Sequence, residues 1–186
     1  MTIEDYFFEK TDFKTLTYRE YNSCSFKDCD FSESSMNNFA FYDCKFIRCN
    51  LTMTKLENTT LKDSFFSDCK ILGVDFSKCS KFLFSIKCED CILNYSTFYK
   101  NDLKNTTFKN CVLKEASFIE TNMTATKFIN CDLENALFER TILEKADFST
   151  AKNYTIDAEN NKLKKTIFSL PDVIGLLAKY DIIIKD

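Results

Sequence analysis

The chain has no histidine and no tryptophan among its 186 residues, and only two glycines and one proline. Without histidine it lacks the side chain that most often acts as a general base near neutral pH. So few glycines and prolines leave almost none of the usual punctuation between elements. The sequence contains no glycine-rich phosphate loop and no G-x-S-x-G nucleophile motif. No paired carboxylates stand apart from the general run of surface charge, so no catalytic residue, metal ligand, cofactor or small-molecule substrate is expected. No apolar run approaches the roughly 18–20 residues of a membrane span. The opening MTIEDYFFEK is acidic where a signal peptide is basic and then apolar, so a cytoplasmic protein is expected. A formal charge of −3 argues against direct nucleic-acid binding, which normally uses a basic patch.

What is abundant is phenylalanine, with 20 residues, and it recurs at a fixed step. In FINCDLENALFERTILEKADF, residues 128–148, bulky apolar side chains stand at Phe128, Leu133, Phe138, Leu143 and Phe148. Two positions before the last four come the small residues Cys131, Ala136, Thr141 and Ala146. A step of five fits neither the 3.6 period of a helix nor the 2 of a strand. It continues backward through Met123, Phe118, Leu113, Phe108, Leu103 and Phe98 to Leu93. A second run with the same step extends from Phe26 to Phe76. The distance from Phe76 to Leu93 is three fives plus two, which places a two-residue insertion within 77–91. Phe39 and Asn101 break the rule for the small position, and the segments around Phe8, Phe13 and Tyr21 repeat only loosely.

A large residue can face inward every five positions only if the chain turns a corner each time. Four such units close a square of twenty residues and stack residue i on i+20. Phe98, Phe118 and Phe138 then share one face and Phe108, Phe128 and Phe148 another, at the strand spacing of about 4.8 Å. The units CDLEN, ALFER, TILEK and ADFST resemble the A(D/N)LXX motif of the pentapeptide-repeat proteins. That resemblance covers roughly residues 24–153. It implies an all-β solenoid, a right-handed quadrilateral β-helix of about seven coils. The expected organisation is a solenoid over 1–153 and a C-terminal cap over 154–186. The tail IDAENNKLKKTIFSLPDVIGLLAKYDI is similar to the close of the cytoplasmic members related to quinolone-resistance, gyrase-protecting factors. Those relatives join two solenoids through a C-terminal helix, and the rod mimics duplex DNA.

Nine of the ten cysteines fall on the small inward position, and only Cys88 departs from it. Free cysteine packs as a small buried hydrophobe, so core filling is expected, with all thiols reduced. Cys91, Cys111 and Cys131 should form one column, and Cys29, Cys49 and Cys69 another. Cys88–Glu89–Asp90–Cys91 is a CxxC, but no second pair stands at metal spacing, and its two acids oppose thiolate formation.

Function is therefore left to outward residues, among them Glu134, Glu139, Arg140 and Glu144. Asp28, Asp43, Asp63 and Asp68 are the candidate partner contacts, with Lys27, Lys45, Arg48 and Lys62 scattered among them. In the tail, Ser169 can cap a helix over about 170–180, followed by a short strand at 181–184. Leu170, Val173, Ile174, Leu177, Tyr180, Ile182 and Ile184 are its candidate homodimer interface. Two functions are open: a DNA mimic that binds a type II topoisomerase such as gyrase and modulates quinolone susceptibility, as the resemblance implies, or a structural or protein-interaction module with another partner.

Overall fold

The computed structural model describes residues 2–12, 16 and 19–185; Phe13 lies outside them. The corner that each five-residue unit needs is made by the residue two places after the large one. There the backbone turns left-handed, with φ near +50 to +62° at Asp28, Glu33, Asn38, Asp43 and Arg48, and again through Asn130, Asn135, Arg140 and Lys145. Among the described residues 28 non-glycine positions have positive φ, and half of them are Asp or Asn. These two residue types enter that region most readily, because a short polar side chain can bond locally. Scarce glycine thus does not mean scarce turns. Of the two glycines only Gly73, at φ 64°, occupies such a corner.

Between corners the chain is extended for three residues or so, and each coil pairs in parallel with the next. On one face β1 (Thr2–Glu4), β3 (Glu20–Asn22), β5 (Ala40–Tyr42) and β7 (Thr60–Lys62) form a four-stranded sheet. The adjoining face begins with β2 (Phe7–Glu9), β4 (Ser25–Lys27), β6 (Lys45–Ile47) and β8 (Ser64–Ser67). It continues through β9 (Ile86–Glu89), β10 (Thr107–Lys109), β11 (Lys127–Ile129), β12 (Asp147–Phe148) and β13 (Ile167–Phe168). Two further faces are joined by single bridges such as Asp30↔Asn50 and Ser35↔Lys55. Nine strands one coil apart make eight turns rather than the seven expected.

The register is twenty residues where the sequence predicts it, as in Phe26↔Phe46 and Phe108↔Phe128. It is eighteen at the start, Phe8↔Phe26, and twenty-two across the insertion, Phe66↔Cys88. The offset arises between Asn58, which still bonds Lys78, and Asp63, which meets Ser85, so the extra residues sit at about 80–85. The ladder also passes the expected boundary at 153, through Asp132↔Lys152 and Ile142↔Lys162 to Phe148↔Phe168. The five-residue step resumes at Leu163 and Phe168 after the irregular NYTIDAENN.

The interior holds the large residues in columns. Phe8, Phe26, Phe46 and Phe66 stack with ring centroids 4.8–5.0 Å apart, and Phe98, Phe118 and Phe138 at 5.2 Å. Neighbouring columns meet edge to face, as Phe118 and Phe128 do at 5.9 Å. Both arrangements suit the ring quadrupole.

The expected C-terminal helix and strand do not form. Residues Asp172–Leu176 and Ala178–Tyr180 make two short 3-10 segments, and no strand pairing occurs at 181–184. The Gly175 carbonyl accepts the N–H of Ile156 in the last coil, which removes it from any helical ladder. A Cβ on Gly175 would stand 2.0 Å from the Tyr154 carbonyl oxygen, so close docking and helix propensity conflict here. The tail is a cap laid down in pieces.

Candidate functional site

The interior is filled by its own side chains. Small inward residues donate to the carbonyl of a large residue one coil earlier: Thr54 to Phe31, Thr126 to Leu103, Thr141 to Phe118. The cysteines do the same, with Cys49, Cys69 and Cys131 Sγ bonding Phe26, Phe46 and Phe108. They are hydrogen-bond donors to the coil ladder as well as filling, a role that a purely hydrophobic reading misses. Asn101 belongs to the same scheme, since its side-chain amide donates to Phe76 O. Phe39 is accommodated by packing beside the stacked Tyr21 and Phe41, at 6.3 and 6.0 Å from them.

The two expected thiol columns are one. The register jump carries Cys69 onto Cys91, whose Sγ accepts the Cys69 N–H at 3.4 Å, as Cys69 Sγ accepts that of Cys49. The column reads Cys29, Cys49, Cys69, Cys91, Cys111, Cys131. All ten cysteines are free and buried. Bonds to neighbouring thiols, reinforced by burial, hold Cys29, Cys69, Cys88 and Cys111 above the usual thiol range. Burial, with smaller contributions from Cys24 and Asp43 beside Cys44 and from Asp75 beside Cys79, pushes these two thiols up to about 12. Cys88 occupies a large position, between Phe66 and Phe108, while Ile86 takes the neighbouring small one. The CxxC is thus a size exchange at the insertion. Among the described residues no three of His, Cys, Asp and Glu are grouped so as to hold a metal.

Outside, all four candidate aspartates are corner residues, with φ of 54° at Asp28, 52° at Asp43, 50° at Asp63 and 54° at Asp68. A short polar side chain suits that backbone conformation. Asp28 also receives two bonds from Arg48, at 2.7 and 2.9 Å, and this guanidinium holds its carboxyl below the ordinary range. Arg48 stands in the column between Asp28 and Asp68, whereas Asp43 and Asp63 lie on another corner, where Ser85 Oγ donates to Asp63. Elsewhere cations and acids pair coil to coil: Lys27–Glu9, Lys109–Glu89, Lys114–Glu134, and Glu120 between Lys100 and Arg140.

A family model described as the pentapeptide repeat region matches residues 19–98 and 83–168. The chain belongs to the pentapeptide-repeat family. Among solved structures, a trypsin-treated form of QnrB1, a plasmid-mediated fluoroquinolone resistance protein, matches at 17% identity and a TM-score of 0.55. That match covers 100% of this chain and 92% of the other. HetL, a pentapeptide-repeat protein involved in heterocyst differentiation regulation from the cyanobacterium Nostoc, matches at 15% identity and a TM-score of 0.43. It covers 91% of this chain and 85% of that one. No curated protein sequence matches. At these identities the likeness to the pentapeptide-repeat structures concerns the fold. No helix among the described residues is long and apolar enough to cross a membrane.

The expected dimer residues lie in the tail. Leu170 is 90% exposed, and Ile174, Leu177, Tyr180, Ile182 and Ile184 each keep two fifths or more of their surface, while Val173 is half-buried. Lys179 pins the tail to the last coil by bonding Asp157 at 2.6 Å and Glu159 at 2.7 Å.

Proposed function

We propose that this chain is a non-enzymatic rod that binds a protein partner through its outward side chains. The observation that carries the reading is the pairing of outward acids with cations one coil away, over an interior filled by phenylalanine, leucine and thiols. Duplex DNA offers one negative charge per about 1.7 Å of axis. A column that alternates Asp28, Arg48 and Asp68 at a spacing of about 4.8 Å does not approach that density.

The second reading is a DNA mimic acting on a type II topoisomerase. It is favoured by the fold match over the whole chain to a fluoroquinolone resistance protein. A supercoiling assay with purified gyrase, with and without a fluoroquinolone, separates the two. The first reading expects unchanged supercoiling and no rescue at micromolar protein. Inhibition or rescue would establish the second.

We also propose that two copies associate through the exposed apolar side chains of the tail, led by Leu170 and Ile182. Light scattering should give twice the chain mass; a monomer mass contradicts it.

A further inference from the structure

The cations are not spread evenly around the rod. One corner, between the face of β7 and that of β8, carries a lysine in coil after coil. Lys62, Lys104 and Lys164 follow the large residue on one side; Lys45, Lys87 and Lys127 precede the next large residue on the other; Lys145 and Lys165 stand on the corner itself. The insertion interrupts this corner, and its Lys81 donates to the Tyr99 carbonyl at 3.3 Å, beside the neighbouring corner at Lys100. Among the described residues none of the eight lysines on this corner is in an ion pair, and all but the half-buried Lys62 are exposed. The same three rows hold six acids, Glu4, Asp5, Asp43 and Asp63 toward one end, Glu144 and Asp147 toward the other. Between them, from Lys87 through Lys104 to Lys127, they hold none. The next rows outward add Asp102 and Glu89, and Glu89 is already bound to Lys109. In a chain of net charge −3 this is a strongly cationic ridge.

The insertion also places apolar surface there. Phe82 is 76% exposed and Leu83 48%, and Leu83 is held at φ 60°, a conformation a bulky side chain adopts at a cost. One coil earlier than Lys87 the half-buried Phe65 lies under it, with Lys87 Nζ 5.4 Å from the ring centroid.

We propose that the ridge formed by Lys87, Lys104 and Lys127, with Phe82 at its edge, docks a short acidic segment of a partner protein that carries an apolar residue. A protein segment fits better than a nucleic acid on two grounds. Every cation of the ridge is lysine, whereas phosphate recognition favours the planar fork of arginine. A continuous phosphate backbone lying along the rod would also meet the acids at both ends, and a short segment ends before them. The inference rests on the protein-binding reading above, but its test needs no topoisomerase, so the two can fail separately.

Fluorescence anisotropy with a labelled oligoglutamate, with and without a central phenylalanine, tests it. Wild type should bind saturably, with affinity falling as salt screens the ridge. The triple variant Lys87→Glu/Lys104→Glu/Lys127→Glu should bind at least tenfold more weakly. A charge-matched variant on other faces, Lys55→Glu/Lys70→Glu/Lys152→Glu, should stay within about threefold of wild type. Phe82→Ser should abolish the advantage of the central phenylalanine. Absence of binding, equal loss in both triple variants, or tighter binding of a labelled DNA duplex than of the peptide would each overturn the proposal.

Discussion

Glu115 is exposed and stands at φ 55°, one of the many corner residues that hold a left-handed backbone without being glycine. If conformation governs such positions, Glu115→Gly should leave stability within about 1 kcal/mol of wild type, since relief of strain offsets the entropy glycine loses. Glu115→Val should cost about 1–2 kcal/mol, because a β-branched residue tolerates that region least. Thermal or chemical unfolding of the two variants gives the comparison. Inside, Phe128→Ala should cost about 3–5 kcal/mol through the cavity left in its column. Cys131→Thr should be tolerated far better, because threonine at Thr126 and Thr141 already makes the equivalent bond to the preceding coil. A thiol reagent should find no reactive cysteine in the native protein within minutes and ten after denaturation, since all ten are buried. The large and small positions were legible because burial imposes size directly on sequence. The corner conformation was not, because Asp, Asn, Glu, Arg and Lys at the corner read simply as polar side chains facing water.

At the scale of the element, the tail departs most from expectation. Ser169, Pro171 and Asp172 are sound helix-start signals, and the Ser169 hydroxyl does bond the Asp172 carboxylate at 2.9 Å. What sequence alone could not weigh is the tertiary contact of Gly175 with Tyr154, which draws a carbonyl out of the helix. Gly175→Ala should therefore loosen the tail and leave the solenoid intact. Faster hydrogen exchange at Ile156, with an unchanged unfolding midpoint, is the expected result. Docking of the tail should also depend on pH at both extremes. Lys179 holds Asp157 and Glu159 below their ordinary values and is itself raised by them. The carboxylate contribution is complete above the ordinary acid pKa values and is lost as pH falls through the depressed ones, below about 4. The lysine contribution is complete below the ordinary lysine value and is lost as pH rises beyond it. The protection of Ile156, its exchange rate relative to the intrinsic rate at each pH, should be high and flat between these limits. The insertion was legible as a count of two, but the single thiol column was not, since only the register across residues 80–85 decides which cysteines meet.

For the whole molecule, twenty-residue stacking turns a list of surface residues into columns, and the columns determine what a partner meets. Read singly, Asp28, Asp43, Asp63 and Asp68 suggest an anionic face; in the fold they are corner residues, with Arg48 set between Asp28 and Asp68. Lysines that look scattered in sequence gather on one corner because positions 62, 104 and 164 share a row, as do 45, 87 and 127, once the insertion is counted. The most direct test of this account is whether the rod displaces DNA from a topoisomerase. A labelled duplex bound to purified gyrase would be followed by anisotropy while the chain is titrated in. The account predicts that the duplex stays bound through micromolar chain. Stoichiometric release of the duplex would contradict it.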